Sequence, residues 1–401
     1  MQADGIDIAA PLRADFTTAG SAYLRLLRPA RGCGVECLRI ERTSAPDGQF
    51  SNIWMYAADG CWVRGVESVN CGFAHVELYT STNCEVSGSW LHHAFSYGGG
   101  GEGYGVLAYL TAGENLIVDN VFEHLRHAMI VQAGANGNVF AYNYSLDPNW
   151  DEGFFPANSA GDIVLHGDHP FLNLFEGNIV QNIVVDDSHG INGPFNTLFR
   201  NRADLWGFVM NNGPATDSLN IVGNEITADA LMGSWLVNWT GHVLHGNLVQ
   251  GEVTPAGTGT LQEASCFLVD EPAFLASIGG WPQTGPDHLP PGTLPAVMRR
   301  TSGAGITPCG SPAIGVDEQV VIAPRVYPIP ARDHVAVEGP DGSQGPFNAR
   351  IIDLTGATCI KRKIPASSQA IIPLSELYPS AYLLELTDRR GRTWRTRIIV
   401  Q

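Results

Sequence analysis

Lysine is almost missing from this chain of 401 residues: two occur, Lys361 and Lys363, and none stands in the first 320. A lysine base or Schiff base is therefore excluded from most of the molecule. Basic charge of any kind is thin there, with 12 arginines against 33 acids, whereas the last 81 residues carry 11 basic and seven acidic side chains. The body is thus about −21 and the tail +4 within an overall −17. A surface so acidic, without basic clusters, repels a phosphate backbone and has no counterions to release, which excludes nucleic acid as a partner. No stretch approaches the roughly 20 apolar residues of a membrane-spanning helix. The opening MQADGIDIAAPLRADF lacks a basic segment followed by an apolar one, so no signal peptide is visible. The chain is therefore cytoplasmic or lacks its natural start. No C-x-x-C pair suggests zinc. What is plentiful forms turns: 46 glycines and 25 prolines point to an all-β chain rich in them.

A short apolar unit closing on Asn recurs: NLIVDN at 115, NVFAYN at 138, NLFEGN at 173, NTLFRN at 196, LNIVGN at 219 and HVLHGN at 242. CLRIER at 37, CWVRGV at 61 and CEVSGS at 84 hold the same register without the final Asn. Most steps are 23 residues, and two are longer, 31 and 35. The units alternate apolar and polar residues, and the L-x-x-L-x-L pattern of leucine-rich repeats is missing, so each repeat reads as three short strands with turns. Asn120, Asn143, Asn178, Asn201, Asn224 and Asn247 share the sixth position. Asn tolerates a left-handed bend, and its amide can bond the Asn of the next coil, so a stacked Asn ladder is expected. The fold class that follows is all-β: a right-handed parallel β-helix of about 23 residues per coil, its coils about 4.8 Å apart. Cys37, Cys61 and Cys84 share offset zero and are expected to stack inside; a Cys61–Cys84 disulfide is possible but not required.

In coil period, Asn ladder and strand-turn pattern, residues 30–265 resemble the pectate-lyase-like superfamily of parallel β-helix proteins. The boundaries expected are 1–265 for the β-helix, 266–320 for a Pro/Gly-rich capping segment and linker, and 321–401 for a small β-sandwich. The segment ASCFLVDEPAFLASIGGWPQTGPDHLPPGTLPAVMRR resembles the closing piece after the last coil in bacterial members, and covering an open sheet edge would be its task.

From Ile322 apolar residues alternate between Gly turns, as in a β-sandwich. The tail is similar to the C-terminal sorting domain of the type IX secretion system of Bacteroidetes, through Tyr327-Pro328-x-Pro330-Ala331, Ile352-Asp353-Leu354-x-Gly356, Leu374-Ser375-x-Leu377, Ala381-Tyr382-Leu383-Leu384 and the basic, β-branched Arg397-Ile398-Ile399-Val400. Ile329 and Ser380 depart from the family's usual Asn and Gly. An ordinary Ig-like adhesion or carbohydrate-binding module is the competing reading. The resemblance implies export, a secreted or cell-surface location, the type IX machinery as partner, and a natural chain that begins upstream of Met1.

The two long steps mark insertions, Phe95–Tyr104 and Asp147–Phe155, that combine aromatic rings with carboxylates and would wall a sugar-binding cleft. Tyr97, Tyr104 and Trp150 are the candidate platforms, and Arg200 a candidate substrate contact. Asp147-x-Asn149-x-Asp151 spaces three oxygens as calcium loops do, although its Gly comes one place late and no Glu closes it. Calcium is thus the one cofactor suggested; it would neutralise a uronate carboxylate and acidify the neighbouring C–H. Allowing for the insertion, His166 and His189 fall at one offset in adjacent coils, with Asp187 beside His189. Carboxylates next to imidazoles can serve glycosidic cleavage. One coil earlier, His127 shares an offset with Asp162, and Arg126 stands one place before it. Pectate lyases use an Arg as base, which makes Arg126 a candidate for that role. The catalytic set is accordingly Arg126, His127, His166, Asp187 and His189. These features point to a carbohydrate-active protein, polysaccharide lyase or glycoside hydrolase, with a polysaccharide substrate. The alternative is a non-catalytic glycan-binding or adhesive surface protein.

Overall fold

The computed structural model describes residues 25–151, 156–210, 216, 218–228, 233–238, 240–286, 292–308, 325–327, 331–338, 347–353, 357–364, 370–387 and 393–400, with short pieces before residue 25. The chain divides into two units, 1–316 and 317–401.

The first unit is a parallel β-helix. One coil shows the plan: Leu116–Val118, Val121–Glu123 and His127–Val131 are three strands separated by one or two bends. Each pairs in parallel with its counterparts in the coils before and after. The first strands of nine coils make one continuous sheet. The second and third strands make two more stacks that merge at Ile179–Val185, a strand long enough to serve both. Side chains facing inward, such as Val86, Ile117, Phe140, Phe175 and Leu198 in one column, fill the core without solvent exposure.

The bend between first and second strands explains the repeat. Cys37, Gly65, Gly88, Asp119, Tyr142, Gly177, Arg200, Gly223 and Gly246 all have φ between 51° and 67°. The residue after each bend points inward, and there the Asn ladder runs: each amide nitrogen from Asn120 to Asn224 donates to the next Asn side-chain oxygen at 2.8–3.1 Å and to a backbone carbonyl one coil back. A second ladder, Asn115–Asn138–Asn173–Asn196, runs five residues earlier, at the start of the same units. The first coils depart from the expected register. Gly34 pairs with Trp62, so Cys33, not Cys37, precedes Cys61 in the column, and Cys37 takes the bend position. Cys37 is disulfide-bonded, while Cys61 and Cys84 are both free.

The described residues of the segment after the last coil bond to the ridge of left-handed bends. The segment folds back along this ridge, running from Thr258 to Thr307 toward earlier coils. Gly246 N–H donates to Thr258 Oγ1 at 2.9 Å, Cys266 N–H to Glu176 at 2.7 Å, and Trp281 Nε1–H to the Tyr142 hydroxyl at 3.1 Å. Further along, Arg299 meets Asp119 at 2.6 Å and Thr307 N–H donates to the Gly88 carbonyl at 2.8 Å. The ridge demands a cover because it presents apolar side chains and carboxylates together: Tyr142, Ile179, Leu275 and Leu294 share one small core over it.

Those carboxylates make the covered ridge sensitive to pH. Burial pushes Glu225 up to about 7, against the N–H of Gly285 and the charges of Arg202 and Arg200, and pushes Asp119 up to about 6 against Arg299. A carboxyl whose folded-state value is raised costs nothing below its unfolded value near 4.3; its penalty grows as pH rises from that value to the folded one and is complete above it. Through these carboxyls the fold loses stability between about pH 5 and pH 8, while the buried His75 and His127, whose values burial lowers, act the other way and lose stability as pH falls through the ordinary histidine range. Glu225→Gln should raise the melting temperature at pH 8, by about 1–3 kcal/mol in stability, and leave it unchanged near pH 4. Thermal melts of both chains at the two pH values check this.

The second unit holds two antiparallel sheets over one core. Arg325–Tyr327, His334–Glu338 and Ala370–Pro373 form one, and Thr358–Ile364, Phe347–Ile352, Ser380–Thr387 and Thr393–Val400 the other. Val335, Val337 and Ile372 face Phe347, Ile351, Leu384 and Ile398 between them, as the alternating pattern of a β-sandwich requires.

Candidate functional site

The third strands turn a second row of residues outward, and both insertions border it, joined where the Asp151 N–H donates to the Tyr97 carbonyl at 3.3 Å. Beside them lies a cavity of about 540 Å³. Leu107, Ile130 and Val164, in register across three coils, lie on its floor side. Gly100, Gly101 and Tyr104 come from the first insertion, Trp150 from the second, and Ser159 and Gly161 from the stretch before the next strand, Ile163–Leu165.

Six of the expected site residues meet there: Tyr104, Arg126, His127, Trp150, His166 and His189. Tyr104 and His127 pair in register, their rings stacked at 5.2 Å and 28°. The Arg126 guanidinium stands 5.9 Å from the Tyr104 ring centre and donates through Nη1 to the Gly98 carbonyl at 2.6 Å. His127 has its Nδ1 3.0 Å from the Gly161 carbonyl, which makes that nitrogen the donor and leaves a lone pair on Nε2. Burial, and then the charges of Arg126 and His166, hold His127 well below the ordinary histidine range. Burial raises Tyr104, and Arg126 partly offsets it.

His166 continues the row, 5.4 Å from the His127 ring, with the exposed His189 ring edge-on at 4.8 Å. Its Nδ1 lies 2.6 Å from Asp186 Oδ2. Burial acts to raise the Asp186 carboxyl, but His166 and the Ser188 N–H and hydroxyl outweigh it and hold the group at about 2. The sequence reading favoured Asp187, yet consecutive strand residues face opposite ways, and it is Asp186 that follows Val185 onto the cavity face. Asp162 is likewise turned inward, where Ser145 and two backbone N–H groups hold it and burial pushes it up to about 6. Asp168 and Ser188, beside His166 and His189 in the sequence, also line the cavity, as does Gln132, which no motif signalled. Only the register of the third strands could have placed them.

Two expected contacts lie elsewhere. Arg200 sits in the ridge of bends, buried under the returning segment, where it donates to the Glu263 and Thr284 carbonyls at 3.1 and 3.0 Å. Its position closing a unit put it at a left-handed bend rather than on the cavity face. Tyr97 is buried beside the cavity wall: its hydroxyl accepts from the Ala94 N–H at 3.0 Å, its ring abuts His124, and burial pushes it up to about 12. Of the calcium donors, Asp147 Oδ2 is 2.7 Å from His124 Nδ1 and Asp151 Oδ1 accepts from the Asn149 amide nitrogen at 3.0 Å, so one oxygen of each Asp is engaged within the protein. Among the described residues no group of three or more His, Cys, Asp and Glu side chains is arranged to hold a metal ion.

Three buried donors on residues lining the cavity, Arg126 Nε, Trp150 Nε1 and Ser159 Oγ, have no acceptor among the described residues. Such donors are costly unless an oxygen-rich guest or water meets them.

Residues 325–401 match the secretion system C-terminal sorting domain. The protein is a secreted or cell-surface one. Its sandwich addresses it to the type IX secretion system, and the site lies in the other unit. No curated protein matches the chain. No helix among the described residues is long and apolar enough to cross a membrane.

Proposed function

We propose that the β-helix is a polysaccharide lyase that cleaves a uronate-containing chain by β-elimination. The observation that carries this is the stacked pair of His127 and Tyr104 beneath the Arg126 guanidinium. Elimination needs a base for the proton on C5, a cation for the charge that gathers on the carboxylate, and an acid for the oxygen leaving C4. His127 stays neutral, and with Nδ1 used on Gly161 its Nε2 is the base. Arg126 pairs with the substrate carboxylate as electron density moves into it from the broken C5–H bond. That pair then forms the C4–C5 double bond as the C4–O bond breaks, and Tyr104, which burial keeps protonated, gives its proton to the departing oxygen. Base and acid stand side by side, so both act on one face of the sugar. His166, held by Asp186, and His189 border the position of the ring.

Hydrolysis is the weaker reading because it asks for a carboxylic acid with a raised pKa opposite a second carboxylate. Asp186 is held at about 2 and is engaged by His166. The test is incubation of residues 1–316 and of the whole chain with polygalacturonate, alginate, chondroitin sulfate and xylan, with and without calcium. Ultraviolet absorbance of unsaturated product, rising with reducing ends, is expected on a uronate polymer. Reducing ends alone would replace elimination by hydrolysis. No cleavage with binding retained would leave a glycan-binding surface protein, and cleavage only with calcium would overturn the metal-free assignment of Arg126.

A further inference from the structure

The cavity is one end of a longer feature. Six third-strand residues occupy a single outward column across six successive coils: Tyr56, Tyr79, Tyr109, Gln132, His166 and Asp186. Tyr56 pairs with Tyr79 and Tyr79 with Tyr109. Gln132, His166 and Asp186 continue the register through N–H bonds to the carbonyls of Ala108, Val131 and Leu165. The last four of the six line the cavity, and the first two lie beyond it. Trp54, on the neighbouring outward column, closes the series: its ring is 5.2 Å from Tyr56 and 6.0 Å from Tyr79, and Tyr79 is 5.3 Å from Tyr56 and 5.7 Å from Tyr109.

Exposure separates these rings from ordinary packing. Trp54 is 60% and Tyr56 49% exposed, at a place where inward neighbours such as Met55 and Leu78 already fill the core. Glu77, which pairs in register with Trp54, is covered and accepts from Ser51 Oγ at 2.8 Å, so an anionic chain does not meet its charge. Large amphipathic rings with hydroxyl tips suit a guest that offers C–H faces and hydroxyl groups alternately. Five coil steps of about 4.8 Å give a track of about 24 Å, long enough for several sugar rings.

We propose that Trp54, Tyr56, Tyr79 and Tyr109 form a binding track for the same polysaccharide, which lies along the helix axis with its cleaved unit over His127 and several further sugars extending toward the N-terminal coils. The proposal rests on the cavity's being a sugar site and goes beyond it by fixing the orientation of the chain and the side on which extra units bind. The enzyme is accordingly one for polymers, with weak turnover of the shortest fragments.

The experiment compares wild type with Trp54→Ala/Tyr56→Ala and with Tyr56→Phe, using size-graded oligosaccharides of whichever panel polymer is cleaved. Both altered rings are exposed, so melting temperatures should match wild type. The wild-type kcat/KM is expected to climb with oligomer length, and the double variant should lose that climb, about tenfold or more on the longest oligomers, while matching wild type on the shortest. Tyr56→Phe, which keeps the ring, should retain most of it. Equal rates at all lengths, or an equal loss at all lengths, would overturn the track while leaving the lyase reading intact. If no polymer is cleaved, tryptophan fluorescence titrated with polygalacturonate and alginate decides. Binding abolished in the double variant keeps the track and removes the chemistry, and binding indifferent to these rings, or no binding, removes the track.

Discussion

An Asn143→Ala chain should unfold with about 3–6 kcal/mol less stability than the wild type, the summed cost of several buried groups left without partners. The side chain is wholly buried, and its oxygen accepts two bonds from Asn120, from the backbone N–H and the amide nitrogen, both at 3.0 Å. Its own amide donates to the Ile117 carbonyl and to Asn178 Oδ1, both at 2.9 Å. Removing it orphans two donors and the carbonyl in a place water does not reach. Because each coil of a solenoid rests on its neighbours, the loss is felt on both sides of the break. Asn220→Ala is the matched control: that residue is half-buried, its amide donates to Thr197 Oγ1 at 3.0 Å, and it lies outside the ladder. Its loss should stay below about 1 kcal/mol, as for a bond near solvent. Urea unfolding of the three chains measures both, and equal losses would show that the ladder contributes nothing beyond any other Asn.

The same ladder explains why so much of the fold was legible. Its Asn bonds its own kind one coil away, so it repeats where the coil does, although the left-handed residue is the one before it, such as Asp119 or Gly177, and not the Asn itself. Legibility failed at the ends of the repeat, where Cys37 imitated a unit start but occupies a bend. In the described part of 266–308 composition shows that the segment is Pro-rich but not that the ridge of bends is the surface it covers. In the site, the offset arithmetic brought His127, His166 and His189 to one cavity, since it follows coils rather than single residues. Asp187 and Arg200 went astray for the opposite reason. A side chain's direction reverses with each residue of a strand, and an inserted turn shifts that phase by an amount no spacing records. The Tyr56–Asp186 column was invisible for the same reason, as its members are separated by two insertions.

His127→Ala should lower kcat about 10²- to 10⁴-fold on a uronate polymer, the range for removing a positioned base, with KM little changed. Tyr104→Phe should cost a similar factor while preserving the stack, because only the hydroxyl is lost. The pH profile separates this chemistry from its rival. Burial with the nearby cations holds His127 well below the ordinary histidine range, and burial holds Tyr104 above the ordinary tyrosine range. Neither group changes charge across neutral pH, so neither contributes a limb to the wild-type rate there. A hydrolase working through a raised carboxylic acid would instead lose activity as that acid ionised on the way to neutrality. Asp186→Asn adds the remaining control. It removes the anion that His166 faces at 2.6 Å without touching His127 or Tyr104, so it should raise KM more than it lowers kcat if His166 positions the sugar. A collapse of kcat with KM unchanged would move the chemistry from the His127–Tyr104 pair to the His166–Asp186 pair.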